Sequence, residues 1–421
     1  MPCAKAHFYG YTGLTGGEVS TKSVLVIKGS SYFHLSFHVL SRKRNRTQNT
    51  TSNEATLIKG GREYFALLEK LIGDAQERIH LQFYIFDPDS TGKTIGKALI
   101  AAAQRGVKVH MLLDAYGSQK LSRNFINRWK DAGVHVRWFQ PFFKSDKFYL
   151  GRRLHHKVVV IDGMHSLVSG LNISDRYNDT AEAEAWLDWG LYCQGSVSQQ
   201  LEEVCRKRMK MRAPKDRIDN PIKSDQCEIG VRVNDWVGRR QEITRMYLRM
   251  LRDARESVVI MTPYFMPGHE FKRSLRAAAK RGVNIKMILT ENSDIPVAKY
   301  AERYMYNWLL DNKIEIWEYR KNVLHGKIAS VDGTCATVGS YNVNNLSAYA
   351  SIELNLEVID PSLAVEIEKR LANIIKKDCV QITREEFRKR TNWFNRLAQT
   401  TAYNFFRFML FLFTLRIRHP E

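Results

Sequence analysis

The chain of 421 residues is long enough for two domains, or for one duplicated unit with a large buried core. Its net charge of +21 favours a partner rich in phosphate, either nucleic acid or an anionic membrane surface. The six cysteines lack CxxC or other metal-ligand spacing, which favours structural thiols over metal ligands and indicates a reducing compartment. No segment has the continuous apolar sequence expected of a transmembrane helix, because polar residues interrupt the apolar stretch Val24–Leu40.

Composition divides the chain into four segments. Residues 1–52 are rich in Gly, Ser and Thr and end in the basic run Ser41–Arg46, so we expect a poorly ordered leader. Residues 53–215 and 216–385 are expected to form two lobes, with their boundary near the basic stretch Arg206–Arg217. Residues 386–421 form a tail rich in aromatic residues and Arg.

The two halves of the chain repeat one order of predicted elements: helix, strand, helix, strand. In both halves the second helix ends in three alanines, one further polar residue, an arginine and a glycine, Gly106 or Gly282, which is typical of a helix C-terminus before a buried strand. The predicted elements are Tyr64–Glu77, Ile79–Phe86, a helix ending at 106 and Val107–Leu113, then Arg239–Glu256, Val258–Tyr264, a helix ending at 282 and Val283–Leu289. This pattern predicts an α/β fold of two similar lobes, with parallel or mixed sheets flanked by helices and a single site at the lobe interface.

Each half also carries one motif: His-x-Lys, then four residues, then Asp-Gly, with Asn ten positions after the Asp. The two copies are His155, Lys157, Asp162 and Asn172, and His325, Lys327, Asp332 and Asn342. Two equivalent copies within a repeat make coincidence very improbable. The other histidines, such as His110 and His269, have no such companions.

The residues after each His are apolar and largely β-branched, which predicts a buried strand. Residues two apart share a strand face, so each His lies beside its Lys, whereas His156 points to the other face. Asp-Gly predicts a two-residue hairpin turn. That register puts Ser340 across from His325 and Gly170 across from His155.

Two such hairpins facing each other would gather two imidazoles, two ammonium groups and two amides, a set that suits a phosphodiester. Lysines and asparagine amides hold the non-bridging oxygens, one imidazole attacks phosphorus, and the other moves a proton to or from an alkoxide. We expect neither a metal nor another cofactor. Asp162 and Asp332 are also catalytic candidates because they belong to the motif, although their Asp-Gly context favours a role in the turn.

Two acidic residues follow the motifs and are candidates for orienting the histidines. Asp188 lies in Trp186–Trp189 and Glu353 in Ser351–Leu354. A carboxylate bonded to one ring nitrogen fixes the tautomer and stabilises the imidazolium. The alternative for each is an ordinary surface carboxylate.

At these motifs the chain resembles the phospholipase D superfamily, and more finely the bacterial cardiolipin synthases of the short B type, over about residues 55–385. Gln82–Phe86, Ser169–Asp175 and Pro263–Phe265 carry the finer resemblance, with Ser169 in place of the family's usual Gly. The resemblance implies phosphatidylglycerol as substrate and a phosphatidyl-enzyme on His155, with His325 as general acid and base. The reverse assignment stays open. The family's downstream acidic position matches Glu353 well and Asp188 less closely.

The tail favours a membrane partner over nucleic acid. Its run of aromatic and aliphatic residues, interleaved with Arg396 and Arg407 and closed by Arg416 and Arg418, is typical of an interfacial helix, with packing on the protein core as the alternative. We therefore expect anionic phospholipids as partners, with phosphatidylethanolamine left open, on the cytoplasmic side of a bacterial inner membrane. A nuclease or another phosphodiesterase that uses water is the alternative function, and a silent scaffold is disfavoured by the intact motifs. The sequence leaves the oligomeric state open.

Overall fold

The computed structural model describes residues 8–12, 21–25, 49–140, 152–212 and 227–415. Strands β1 (Phe8–Thr12) and β2 (Thr21–Leu25) pair antiparallel in a unit separate from Thr47–Glu421. Apart from these strands and residues 49–52, the expected leader lies outside the described residues. The expected lobe boundary at 215/216 also lies outside them.

The first lobe alternates strands and helices in the order that the sequence predicts. Helix α1 is amphipathic, since it buries Tyr64, Leu68 and Leu71 at helical spacing. The elements are β3 (Asn53–Lys59), α1 (Arg62–Asp74), β4 (Arg78–Phe83), α2 (Ser90–Gln104), β5 (Lys108–Asp114), α3 (Arg123–Asp131), β6 (His135–Phe139), β7 (Arg153–Leu154), β8 (Lys157–Ile161), β9 (His165–Ser169), β10 (Trp189–Gly195) and α4 (Ser196–Arg208).

The second lobe repeats this order and adds short elements at its edges. Its elements are β11 (Glu228–Asp235), β12 (Arg240–Gln241), α5 (Glu242–Asp253), β13 (Ser257–Met261), α6 (His269–Lys280), β14 (Asn284–Asn292), α7 (Pro296–Tyr304), α8 (Tyr306–Asp311), β15 (Glu315–Val323), β16 (Ile328–Val331), β17 (Cys335–Gly339), α9 (Asn345–Tyr349), β18 (Ser351–Ile359), α10 (Pro361–Asp378), β19 (Cys379–Gln381), α11 (Arg384–Arg390) and α12 (Trp393–Leu415).

The two sheets have the same strand order, which confirms the duplication and the mixed α/β fold. The first runs β3-β10-β9-β8-β4-β5-β6, and the second runs β11-β18-β17-β16-β13-β14-β15 between the edge strands β12 and β19. In the first sheet β4, β5 and β6 pair parallel, and in the second sheet β13, β14 and β15 do the same. The other neighbouring strands in these orders pair antiparallel. Strand β7, which lies outside the first lobe's sheet, pairs with β18 of the second lobe, so backbone pairing links the two lobes across the interface.

The hydrophobic core has three layers. The outer layer of the first lobe packs α1, α2 and α3 against one face of its sheet, and α5, α6 and α8 do the same in the second lobe. The middle layer is shared, because Val158 and Val168 of the first sheet belong to one buried cluster with Val338 and Leu356 of the second. Helices α4 and α10 complete that shared layer.

The predicted helix stops are confirmed at both positions. Helix α2 ends at Gln104 and α6 at Lys280, and Gly106 and Gly282 follow with φ of 95° and 90°. In the first lobe the amides of Gly106 and Val107 bind the carbonyls of Ala103 and Ala102, a pairing that requires the left-handed residue.

The Asp-Gly turns differ from the prediction by one residue. Each loop has three residues rather than two, so Ile161 pairs with His165 and Val331 with Cys335. The register therefore shifts, Lys157 lies across from Ser169, and neither histidine lies within the paired strands. The expected pairing of Ser340 with His325 and of Gly170 with His155 is wrong for this reason.

The tail forms α12, which packs on α7 along one face. Ala402 is buried, and the Tyr403 ring stacks on Tyr304 with centroids 4.3 Å apart. The other face is open, and we call the following exposed residues the α7–α12 surface: Ile295, Val297, Tyr300 and Tyr304, with Trp393, Phe394, Leu397, Phe405 and Phe408. A groove of about 620 Å³ runs between the two helices on this surface. Within the described ranges, no helix is long and apolar enough to cross a membrane.

Candidate active site

Each motif histidine is anchored to the backbone of the opposite lobe. The amides of His155 and His156 both donate to the carbonyl of Ile352. The amides of His325 and Gly326 donate in the same way to Leu187. The two histidines therefore lie at the interface between the lobes, where the sequence predicts a single site.

Both orienting carboxylates act across this interface. Nδ1 of His155 lies 2.9 Å from Oε2 of Glu353, and Nδ1 of His325 lies 2.6 Å from Oδ2 of Asp188. Asp188 and Glu353 are fully buried, so neither is an ordinary surface carboxylate. With Nδ1–H donating to the carboxylate, each ring presents Nε2 as its reactive nitrogen.

The residues beside the two carboxylates differ between the lobes. Ser340 donates a hydrogen bond of 2.5 Å from Oγ to Glu353. The matching position in the first lobe is Gly170, where an added Cβ would lie 2.5 Å from both oxygens of Asp188. Ser340 thus acts on His155 through Glu353, and Gly170 leaves the space that Asp188 occupies.

The two motif lysines are buried beneath the histidines. Nζ of Lys157 donates to the carbonyl of His155 at 2.5 Å, and Nζ of Lys327 donates to the carbonyl of His325. Burial lowers the pKa of Lys157 to about 7 and that of Lys327 to about 8, although the charges of Asp188 and Glu353 oppose this effect. A bound phosphate anion would oppose it further and would favour both ammonium forms.

The protonation of the two histidine–carboxylate pairs also follows from burial. Burial lowers the pKa of both histidines, and for His155 the charge of Glu353 opposes this. It raises the pKa of Asp188 to about 6, against the charge of Lys327. The Glu353 carboxylate, which accepts hydrogen bonds from His155 and Ser340, keeps a lowered pKa in spite of burial. Neutral imidazoles are therefore favoured when no substrate phosphate is bound.

The two asparagines of the motif have different roles. Oδ1 of Asn172 accepts from the amide of Ile85 at 3.1 Å, and its Nδ2 donates to the hydroxyl of Tyr177 at 2.9 Å. Asn172 thus orients its neighbours rather than presenting a free amide. Oδ1 of Asn342, by contrast, is buried and has no hydrogen-bond partner within the described residues.

Aromatic residues outside the motif form walls around the histidines. The hydroxyl of Tyr177 lies 3.5 Å from Nε2 of His325, and the ring of Trp186 lies 6.0 Å from the same imidazole. Tyr84 packs edge-on against His155 with centroids 5.1 Å apart. Sequence reasoning missed Tyr177, since the position five residues after the second motif's Asn is Ser347 rather than an aromatic residue.

Asp162 and Asp332 lie away from this site, which corrects their assignment as catalytic candidates. Oδ1 and Oδ2 of Asp162 accept three backbone N–H groups of residues 76–78, each at 2.8 Å. Asp332 accepts from residues 255–257 with the same geometry. Each lies at the far end of a strand from its lysine, and each ties its hairpin loop to the strand that begins beside it.

His156 faces away from the site, as the strand alternation predicts. It is fully buried, and its Nε2 lies 2.8 Å from Oε1 of Gln82. In residues 49–140, 152–212 and 227–415, no group of three or more His, Cys, Asp or Glu side chains is placed to hold a metal ion.

Comparisons with known proteins agree with this architecture. Residues 68–203 and 247–375 match the family described as "Cardiolipin synthase, PLD-like domain". Cardiolipin synthase B of Escherichia coli strain K12 is 35% identical over 84% of this chain and 88% of its own length, and that of Salmonella typhi is 32% identical over the same shares. A solved phosphatidylserine synthase of Haemophilus influenzae, with 14% identity, shares the fold with a TM-score of 0.64 over 84% of this chain and 93% of its own.

These matches confirm the family, the duplicated fold and the class of enzyme that the motifs predict. The chain belongs to the cardiolipin synthase family of the phospholipase D superfamily.

Proposed function

We propose that the chain transfers a phosphatidyl group from one phosphatidylglycerol to another, forming cardiolipin and releasing glycerol. The observation that carries this proposal is the pair of exchanged contacts, His155 with Glu353 and His325 with Asp188, above two buried lysines. Two histidines with fixed tautomers supply the nucleophile and the acid that an in-line displacement at phosphorus needs.

In the first step Nε2 of His155 attacks phosphorus, and the bond to the glycerol oxygen breaks. The side chain of His155 is 18% exposed and that of His325 is 8% exposed, which supports His155 as the nucleophile that the phosphorus must reach. The negative charge of the bound phosphodiester favours the protonated form of His325, and its Nε2 gives a proton to the leaving oxygen. Glycerol leaves, and the phosphatidyl group stays on His155.

In the second step the hydroxyl of another phosphatidylglycerol takes the place of the departed glycerol. His325 accepts its proton, the oxygen attacks phosphorus, and the bond to Nε2 of His155 breaks. Both histidines return to their starting states. Lys157, Lys327 and the Nδ2 group of Asn342 are proposed to donate hydrogen bonds to the non-bridging oxygens throughout.

The protein is proposed to act while bound at the surface of an anionic membrane, on the cytoplasmic side in a bacterium. Five exposed side chains of α12 and four next to or on α7 form one open apolar surface. The exposed residues Arg396 and Arg407 lie on the same helix, and the net charge of +21 favours anionic lipid.

The lipid that the protein forms from phosphatidylglycerol vesicles tests the proposal. Thin-layer analysis should show cardiolipin and one glycerol per transfer, with phosphatidic acid a minor product. Phosphatidic acid as the main product at every lipid density would make the protein a hydrolase. Cleavage of plasmid DNA without any lipid product would favour the nuclease alternative.

A further inference from the structure

Tyr264 lies in a strained conformation just after β13, near the second motif. Its φ is 56°, which is unusual for a residue other than glycine. Two hydrogen bonds hold this backbone: the carbonyl of Tyr264 accepts from Nδ2 of Asn344 at 3.3 Å, and the amide of Phe265 donates to Glu302 at 3.1 Å. Asn344 is two residues beyond the motif residue Asn342. Strain that is held from several sides in this way is common at functional sites.

A buried ionic network supports this turn. Nζ of Lys299 lies 2.9 Å from both Oε1 of Glu302 and Oε1 of Glu318, and it donates to the hydroxyl of Tyr306 at 2.7 Å. Glu302 and Glu318 are each 1% exposed. Burying such charges is costly, and the network contacts neither motif histidine. Its position beneath the turn indicates that its role is to fix the backbone of Tyr264.

The hydroxyl of Tyr264 in turn donates to Oδ1 of Asp294, an exposed residue in the loop before α7. Met261, the last residue of β13, pairs with Ile328, which directly follows Lys327. The turn that contains Tyr264 therefore lies at the same end of the sheet as the motif lysine, and Asp294 is bound to that turn through the tyrosine hydroxyl. Asp188 and Glu353, the two buried carboxylates of the site, are each bound to a histidine. In the part of the chain that the structure describes, Asp294 has only the tyrosine hydroxyl as a hydrogen-bond partner, so it has acceptor capacity left for a ligand.

We propose that Asp294 and Tyr264 form the subsite for the glycerol headgroup, with Asp294 accepting hydrogen bonds from its hydroxyl groups. The inference rests on the proposed function and names the group that this site selects. Because leaving glycerol and incoming glycerol hydroxyl occupy the same side of phosphorus, one subsite serves both steps. Asp294 also adjoins Ile295 of the α7–α12 surface, so a lipid entering from that surface would meet it first.

The partition of the phosphatidyl-enzyme between two acceptors tests this subsite. A phosphatidyl ester of p-nitrophenol would load the enzyme without any headgroup hydroxyl, and free glycerol would then compete with water. The ratio of phosphatidylglycerol to phosphatidic acid reports acceptor binding alone, since it does not depend on loading rate or on the amount of active protein.

At subsaturating glycerol, Asp294→Ala should lower this ratio about 10- to 100-fold, as expected for the loss of hydrogen bonds to a charged group. Tyr264→Phe should lower it less, since the carboxylate remains but is no longer held. Asp253→Asn, which changes the charge of an exposed residue on α5, should leave the ratio unchanged.

An unchanged ratio in folded Asp294→Ala would overturn the subsite while the proposed function stands. A wild-type protein that gives only phosphatidic acid, at any glycerol concentration, would overturn both.

Discussion

Asp188 lies in the first half of the chain, yet its carboxylate binds Nδ1 of His325 in the second half at 2.6 Å. Glu353 of the second half binds His155 of the first half in the same way. Neither lobe can therefore orient its own histidine. This exchange gives a physical reason for keeping both halves in one chain, because each lobe supplies the carboxylate that the other lobe's histidine needs.

The exchange predicts that both carboxylates are needed for turnover. Asp188→Asn and Glu353→Gln should each lower kcat about 10²- to 10⁴-fold, because an amide can favour the wrong tautomer and does not stabilise the imidazolium. Ser340→Ala, which removes one hydrogen bond to Glu353, should have a smaller effect. Steady-state kinetics on phosphatidylglycerol would measure these effects, with Glu184→Gln, an exposed residue near Asp188 in sequence, as the control. Activity near the wild-type level in Asp188→Asn would contradict the assigned role.

Asp162 should matter for stability rather than for chemistry. Asp162→Ala leaves three backbone N–H groups without their acceptor, so we expect a loss of about 1–3 kcal/mol in the free energy of unfolding. Specific activity per folded molecule should change little. Urea unfolding and kinetics on the same sample would separate the two effects, with the exposed residue Asp74 changed to Ala as the control. A loss of activity as large as that of His155→Ala, without a loss of stability, would indicate a catalytic role for Asp162.

The buried lysines predict a fall in kcat/KM on the alkaline side. With pKa values of about 7 and 8 in the free enzyme, Lys157 and Lys327 lose their charge as pH rises through this range, and phosphate binding weakens. Bound phosphate favours the charged lysines, so kcat should fall at a higher pH than kcat/KM. On the acid side, burial lowers the pKa of His155. This nucleophile therefore stays neutral at pH values below the ordinary pKa of a histidine. A short-chain soluble substrate would exclude vesicle charge, and a flat kcat/KM between about pH 7 and 9 would contradict this account.

The open face of α12 should control membrane binding without supporting the fold. Replacing Phe394, Leu397 and Phe405 by Ser should weaken binding to anionic vesicles at least about tenfold, because each removes apolar area from the interface. The thermal midpoint should stay near that of the wild-type protein. Val365→Ser changes an exposed apolar residue of α10, outside this surface, and should leave binding unchanged. Unfolding of the triple variant would favour the alternative that this face of the tail packs on the core.

The repeat made most of the fold predictable. The alanine-rich helix ends before Gly106 and Gly282 and the two copies of the motif indicated two equal lobes, and the structure has equal strand orders. The register of the motif hairpins could not be predicted, because the third loop residue, Met164 or Thr334, gives no turn signal. That residue shifts each pairing by one.

The site was predictable where it repeats and hidden where it does not. Asp188 and Glu353 could be proposed from their positions after the motifs, but their exchange between lobes depends on tertiary packing. Tyr177 has no counterpart in the pattern, because the matching position in the second half is Ser347. It lies in a short 3-10 helix, Asp175–Tyr177, whose position beside His325 depends on tertiary packing.

The identity of the phosphorylated histidine tests the central claim most directly. Enzyme mixed with the p-nitrophenyl phosphatidyl ester would be quenched, digested and examined by mass spectrometry. Because nitrophenol leaves without a general acid, His325→Ala should trap the phosphatidyl group on the peptide that contains His155. His156→Ala should behave like the wild-type protein, and His155→Ala should carry no adduct and make no cardiolipin. An adduct on His325, or cardiolipin formed by His155→Ala, would contradict the mechanism.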